Sequence, residues 1–162
     1  VLGVTQEHMG ERERLLDHVI EDMYAAISFA EGDEPDWETM REVFLPNARL
    51  TRVTPDGISH YDLDAFQDMA RNMLDLGVYT AFHECEVARK VDLFGSVAHV
   101  LSAYETKRSP TAVQPLARGI NSIQLLWTGT RWAVLSLFWD EEDSRGAFDM
   151  AACFGDHHGQ GS

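Results

Sequence analysis

Apolar positions in the first third of the chain recur at helical spacing. Between Glu11 and Ala30, Leu15, Val19, Met23 and Ile27 stand four apart, Leu16, Ile20 and Tyr24 form the adjoining row, and charges fill the opposite side. This pattern predicts one amphipathic helix. Gly32-Asp33-Glu34-Pro35 breaks it. Asp36 is placed to cap a second, short helix with Trp37, Met40 and Phe44 on one face, and Pro46 stops it. Ala48 to Val53 reads as a strand, Pro55-Asp56-Gly57 as a turn and Ile58 to Tyr61 as a short return strand. Asp62 then caps a third helix, with Leu63, Phe66, Met69, Ala70, Met73 and Leu74 along one side and Gly77 at its C′ position.

From Val78 onward the period changes to two. Four runs, Val78–Asp92, Val97–Lys107, Ala117–Trp127 and Arg131–Trp139, are joined by tight turns at Gly95 and Gly129 and by a longer, mobile loop from Arg108 to Leu116 containing Pro110 and Pro115. The expected layout is α+β, with three N-terminal helices covering one face of a strongly curved antiparallel sheet. One domain is expected over residues 1–142. Past Trp139 the chain turns acidic and then glycine-rich, so 143–162 is expected to be a partly disordered tail.

Composition narrows the partners. The 162 residues include 13 Lys plus Arg against 27 Asp plus Glu, and the formal charge of −14 repels nucleic acid and anionic membrane surfaces alike. The longest apolar stretch, Ala133 to Trp139 with Ser136 counted in, falls far short of the ~20 residues that cross a bilayer. Cys85 and Cys153 are too few for a disulfide framework and too far apart for a Cys-x-x-Cys motif. With no basic, then apolar, export signal at the start, a reducing, cytoplasmic setting is expected. No Gly-x-Gly-x-x-Gly, P-loop or Gly-x-Ser-x-Gly pattern occurs, so no cofactor is expected.

Three local patterns carry a resemblance. They are Asp36-Trp37 with Val43-Phe44-Leu45-Pro46-Asn47-Ala48; Phe94-Gly95-Ser96-Val97-Ala98-His99-Val100 with Ser102 and Tyr104-Glu105; and Arg118-Gly119-Ile120-Asn121-Ser122-Ile123-Gln124-Leu125 followed by Gly129, Arg131-Trp132 and Phe138-Trp139. In this order, over roughly residues 10 to 142, the chain resembles the nuclear transport factor 2-like superfamily, also called the ketosteroid isomerase or polyketide cyclase-like fold. The resemblance implies a cone-shaped half-barrel with a pocket between sheet and helices, commonly in a homodimer. Its members include isomerases, dehydratases, epoxide hydrolases and cyclases of lipophilic molecules, and also non-catalytic binding and association modules, so activity must be read from the pocket.

Pairing the third strand with the fourth across Gly95 puts Phe82, Glu84, Glu86 and Ala88 on one face with Ala98, Val100, Ser102 and Tyr104. Glu84 and Glu86 would stand roughly 6.6–7 Å apart, near Tyr104 and Ser102. In an apolar pocket one carboxyl could stay protonated as an acid while the other serves as a base, which makes Glu84, Glu86 and Tyr104 the candidate catalytic set. The alternative is a structural network with Arg118 or Arg89, or exposure to solvent. His83 and Cys85 point away from the two glutamates, which leaves too few ligands on either face for a metal.

The Gly129 hairpin is expected to group Asn121, Ile123 and Leu125 with Trp132, Val134, Ser136 and Phe138. Asn121 either orients a ligand or ties off a strand end. Candidate ligand contacts are therefore Ser102, Asn121, Phe82 and Phe138 on the strands, with Tyr24, Trp37, Phe66 and Met69 on the helices, where core or pocket wall is the ordinary role. Met23, Met40, Met69 and Met73 would make an adaptable wall. The expected function is binding of a compact, largely apolar small molecule, with cofactor-independent isomerisation, dehydration or cyclisation. The competing function is a non-catalytic binding or dimerisation module using Trp127, Leu135, Leu137 and Trp139 on the outer sheet face.

Overall fold

The computed structural model describes residues 6–143 and 145–155. In chain order the elements are α1 (Gln6–Ile27), α2 (Trp37–Val43), β1 (Phe44–Thr54), β2 (Gly57–Tyr61), α3 (Leu63–Asp75), β3 (His83–Phe94), β4 (Val97–Lys107), β5 (Ala117–Trp127), β6 (Trp132–Glu141) and α4 (Met150–Phe154). The architecture is α+β. No described helix is long and apolar enough to cross a membrane.

Helix α1 buries Leu16, Ile20, Met23 and Tyr24, while Leu15 lies at the stripe's edge. It ends at Ile27, before the expected Ala30, because Ser28 Oγ donates to the Tyr24 carbonyl (2.8 Å) and Phe29 leaves the helix to exchange backbone hydrogen bonds with Phe82. Asp36 and Asp62 cap α2 and α3 by accepting from the Thr39 and Ala65 amides, at 3.0 and 2.8 Å. Gly77, at φ 69°, supplies the left-handed turn after α3. The chain passes from α2 into β1 without a linker, Phe44 already being extended.

The sheet order is β2-β1-β6-β5-β4-β3. All neighbours are antiparallel except β1 and β6, so the sheet is mixed rather than purely antiparallel. Tight hairpins force antiparallel pairing only on strands adjacent in sequence. The β1–β2 hairpin instead joins the last strand after α3 and the meander have intervened. The core lies between α1, α2 and the inner face of the sheet, centred on Ile20, Phe44, Val100, Ile123 and Trp132. Trp132 is fully buried and its indole N–H donates to the Arg12 carbonyl at 2.9 Å.

Two bulges reset which side chains face this core. On β3 Glu86 pairs with Tyr104 and Ala88 with Ala103, so Val87 is the extra residue. Glu84 and Glu86 keep the inward parity, but Ala88 loses it, and Arg89 takes the position opposite Ser102. On β6 Val134 pairs with Leu125 and Ser136 with Gln124, which makes Leu135 the extra residue. Ser136 and Phe138 consequently face outward, Phe138 being 45% exposed, while Leu137 and Trp139 turn inward. Trp127 also packs on the core, edge-on to Trp132. Of the expected outer patch of Trp127, Leu135, Leu137 and Trp139, all but Leu135 therefore turn inward, and the expected inward Phe138 is replaced by Trp139. After Asp143, a short α4, capped by Asp149, lies against β3. The part of the expected tail beyond Gly155, and Ser144, lie outside the described residues.

One row of the sheet positions the site. Tyr104 on β4 pairs with Gly119 on β5, and Gly119 pairs with Glu141 on β6. The tyrosine ring lies across Gly119, and its hydroxyl donates to Glu141 Oε1 at 3.1 Å. A Cβ on residue 119 would stand 2.3 Å from both Cζ and Oη of Tyr104, so the absent side chain is what makes the crossing possible. Gly119→Ala is expected to destabilise the protein by about 2–3 kcal/mol in urea denaturation. In a Tyr104→Ala background the same substitution should cost far less; additive losses would show that the crowding lies elsewhere.

Candidate active site

The polar side chains of the inner face fall into two connected groups. In the first, Ser102 Oγ donates to Glu86 Oε2, and Tyr24 Oη lies 2.6 Å from Ser102 Oγ. Because the serine hydrogen is spent on the carboxylate, the tyrosine must donate to the serine. Asn121 Nδ2 then donates to Tyr24 Oη at 3.1 Å and to Glu84 Oε1 at 3.4 Å. The chain of donors thus runs from Asn121 through Tyr24 and Ser102 to Glu86, and both amide hydrogens of Asn121 are engaged. Arg89 holds Glu86 in turn, its Nε 2.8 Å from Oε1, and also contacts Asp17 on α1. Ser28 fixes the strand beneath Glu84 by accepting from its amide at 3.0 Å.

The second group is the Tyr104–Glu141 pair. Together with Glu84 and Asn121 it forms the polar side of a cavity of about 150 Å³, whose remaining wall is apolar and includes Met23, Phe44, Phe66, Met69, Phe82 and Trp139. A space of that size, lined by apolar side chains, holds a benzene-sized guest. Helix α3 makes the roof. Only Leu63 on α3 is buried; Phe66, Met69, Met73 and Leu74, all on its apolar side, remain half-buried because they border the hollow rather than packed core.

Burial dominates the electrostatics. It pushes the Glu84 carboxyl up to about 8, against the Asn121 hydrogen bond and with help from the charge on Glu141. The Tyr104 phenol is raised well above its ordinary value by burial and then by Glu84 and Glu141, so it keeps its hydrogen throughout the working range. Tyr24 is raised for the same first reason, followed by Glu84. Glu84 is therefore an uncharged acid at neutrality, while Glu86, two residues along, is an ion-paired acceptor.

Of the residues singled out in the sequence, Glu84, Tyr104, Asn121, Phe82, Phe66 and Met69 line the cavity together. Tyr24 and Ser102 stand behind them as buried links in the donor chain. Glu86 borders a separate hollow with Glu21, His83, Cys85 and Arg89. Trp37 lies edge-on to Phe66 and donates to Glu34 at 3.1 Å, outside the cavity wall. Phe138 is on the opposite face of the sheet. The wall residues that were not anticipated include Glu141, Trp139 and Arg52. Glu141 sits in an acidic run that reads as solvated, and its signal was the glycine at position 119 in mid-strand, a mark of close approach from a neighbour. Among the described residues, no three His, Cys, Asp or Glu side chains cluster as a metal-binding set.

No family model and no curated protein matches the sequence. Solved structures do resemble the fold. A nuclear transport factor 2-like protein of unknown function from Silicibacter pomeroyi DSS-3 superposes with a TM-score of 0.60 at 16% identity, over 83% of this chain and 98% of that one. A similar protein from Shewanella baltica OS155 gives 0.59 at 17% identity, over 83% and 97% of the two chains. Hexachlorocyclohexane dehydrochlorinase LinA-type3 from Novosphingobium barchaimii LL02 gives 0.66 at 7% identity, over 86% and 92%. Likeness at such low identity speaks for backbone architecture alone, and on it this chain has the nuclear transport factor 2-like fold.

Proposed function

We propose that the chain binds a compact, largely apolar small molecule in the α3-roofed hollow and moves a proton on it with Glu84. The six-stranded sheet, on this reading, wraps the guest as a cone-shaped half-barrel. The observation that carries the proposal is the placement of Glu84 on the wall of an apolar cavity beside a phenol and a second carboxylate, where burial pushes its carboxyl up to about 8. A neutral Glu84 can donate to a leaving group or carbonyl oxygen and then recover a proton from carbon or solvent, the exchange that isomerisation, dehydration and cyclisation share. Tyr104 lends its oxygen to a guest while Glu141 holds its hydrogen, and can donate if the guest replaces Glu141. Asn121, through its two engaged N–H groups, orients Glu84. Glu86 keeps that orientation rather than meeting the guest. A dehydrochlorinase among the similar structures is consistent with proton-transfer chemistry on this architecture.

A second reading rests on a different observation. The outer face and edge of the sheet expose Phe138 (45%), Val97 (54%) and Phe94 (88%), the surface a self-associating module would cover. Homodimer formation through this face is compatible with the pocket. If it exists, the mass in solution should rise with concentration and Phe138→Glu should lower it; a wild-type mass fixed at 18.2 kDa at every concentration would exclude it.

Two measurements test the role of Glu84. Carboxyl-resolved NMR titration, assigned by the signal missing in Glu84→Gln, is expected to show a midpoint near 8. A midpoint near the ordinary ~4.3 would end the general-acid reading. The second is stability. The folded chain holds this proton more tightly than the unfolded chain, so Glu84 costs stability progressively as pH rises from about 4.5 to about 8 and no further above that. Glu84→Gln is therefore expected to match wild type near pH 4 and to be more stable by about 2–4 kcal/mol at pH 8 in urea melts. A constant difference across that range would contradict the assigned burial.

A further inference from the structure

On β1, inward positions alternate through Ala48, Leu50 and Arg52. The first two are 1% and 2% exposed, and the third places an arginine where the pattern calls for an apolar residue. Arg52 is half-buried and lines the same cavity as Glu84, Tyr104, Asn121 and Glu141. In a chain with 27 acidic and 13 basic residues, most cations in contact with the fold find a partner. Arg41, Arg71, Arg89, Arg118 and Arg145 each meet a carboxylate, and Arg12 lies 4.7 Å over the Trp127 ring. Among the described residues, the Arg52 guanidinium has neither a carboxylate nor a hydrogen-bond acceptor within reach.

A guanidinium presents a planar fork of donors that matches a carboxylate, and against an apolar wall it gains from such a partner more than in open water. Position supports this. Arg52 pairs with Trp139 and Trp139 with Asn121, so the arginine and the Glu84–Asn121 contact are two strand steps, about 9–10 Å, apart at the backbone. A single-ring body spans such a gap, and about 150 Å³ accommodates it. The charge of the whole chain bears on the point as well. At −14 it repels anions at long range, so an anionic guest needs a dedicated cation inside the hollow.

Resting on the small-molecule reading above, we propose that Arg52 is the anion-binding end of the cavity and that the guest is a compact weak organic acid. Its carboxylate sits on the guanidinium and its apolar body lies against Phe66, Met69 and Trp139. That orientation presents the far end of the guest to Glu84 and Tyr104, separating the anchoring charge from the group that exchanges a proton.

Phenylacetate and phenylacetamide, nearly equal in size and differing in charge, are suitable probes for calorimetric titration at pH 6.5. Phenylacetate is expected to bind wild type about tenfold more tightly than the amide, a difference in keeping with a charge-assisted pair. Arg52→Met should erase this preference by weakening phenylacetate far more than the amide, whose retained binding reports an intact cavity; Arg52→Lys should keep part of it. Equal binding of the two probes to wild type, or a preference that survives in Arg52→Met, would overturn the inference and leave the small-molecule reading standing. Failure of both probes to bind wild type would count against both.

Discussion

A buried line of hydrogen bonds whose direction is set at one end holds the site together. Glu86, gripped by Arg89, accepts at both of its carboxylate oxygens. That single constraint fixes the Ser102 hydroxyl, then Tyr24, then the face that Asn121 turns toward Glu84. The line also ties α1 to the middle of the sheet, since Tyr24 comes from the helix and its partners from β4 and β5. A buried donor or acceptor left unmade costs ~1–3 kcal/mol, so a half-satisfied version would be worse than an apolar core. Among the described residues no buried side-chain nitrogen or oxygen lacks a partner.

The same line explains how two glutamates, separated by one residue on one strand, acquire opposite characters. Both keep inward parity. Glu86 has a cation beside it and a hydroxyl donating to it. Glu84 has the hollow on one side, a nearby carboxylate in Glu141 and one long amide hydrogen bond, so burial prevails and the proton stays. The Val87 bulge creates the difference. Without it Ala88 would follow Glu86 inward, and Arg89 would point away from the carboxylate it now holds.

Legibility in the sequence followed from how strongly each local pattern was specified. Helix caps at Asp36 and Asp62, the turn at Gly95 and the left-handed Gly77 were readable because each residue type answers one backbone requirement. The inward parity of Glu84 and Glu86 was readable because small residues on β4 marked the inner face. Residues 134–139, Val-Leu-Ser-Leu-Phe-Trp, are apolar at nearly every position, so their alternation does not say which side is in. A one-residue bulge there exchanges Phe138 for Trp139 at no visible cost in pattern. The parallel pairing of β1 with β6 was invisible for a different reason: it is a long-range contact with no connecting turn to constrain it.

Architecture and chemistry are carried by different layers, and this bears on how such a fold diversifies. The sheet supplies the polar wall, in which Tyr104, Gly119 and Glu141 interlock across three strands and tolerate little change of size. Helix α3 supplies a roof of Phe66, Met69 and Met73, flexible side chains half-buried over a void, where substitution alters the shape of the space without breaking a hydrogen bond. The guest's contour is therefore set largely by the roof, and what happens to it by a few inward positions on the strands. Distant chains can share the backbone while differing in activity because the strand positions that decide the chemistry are so few.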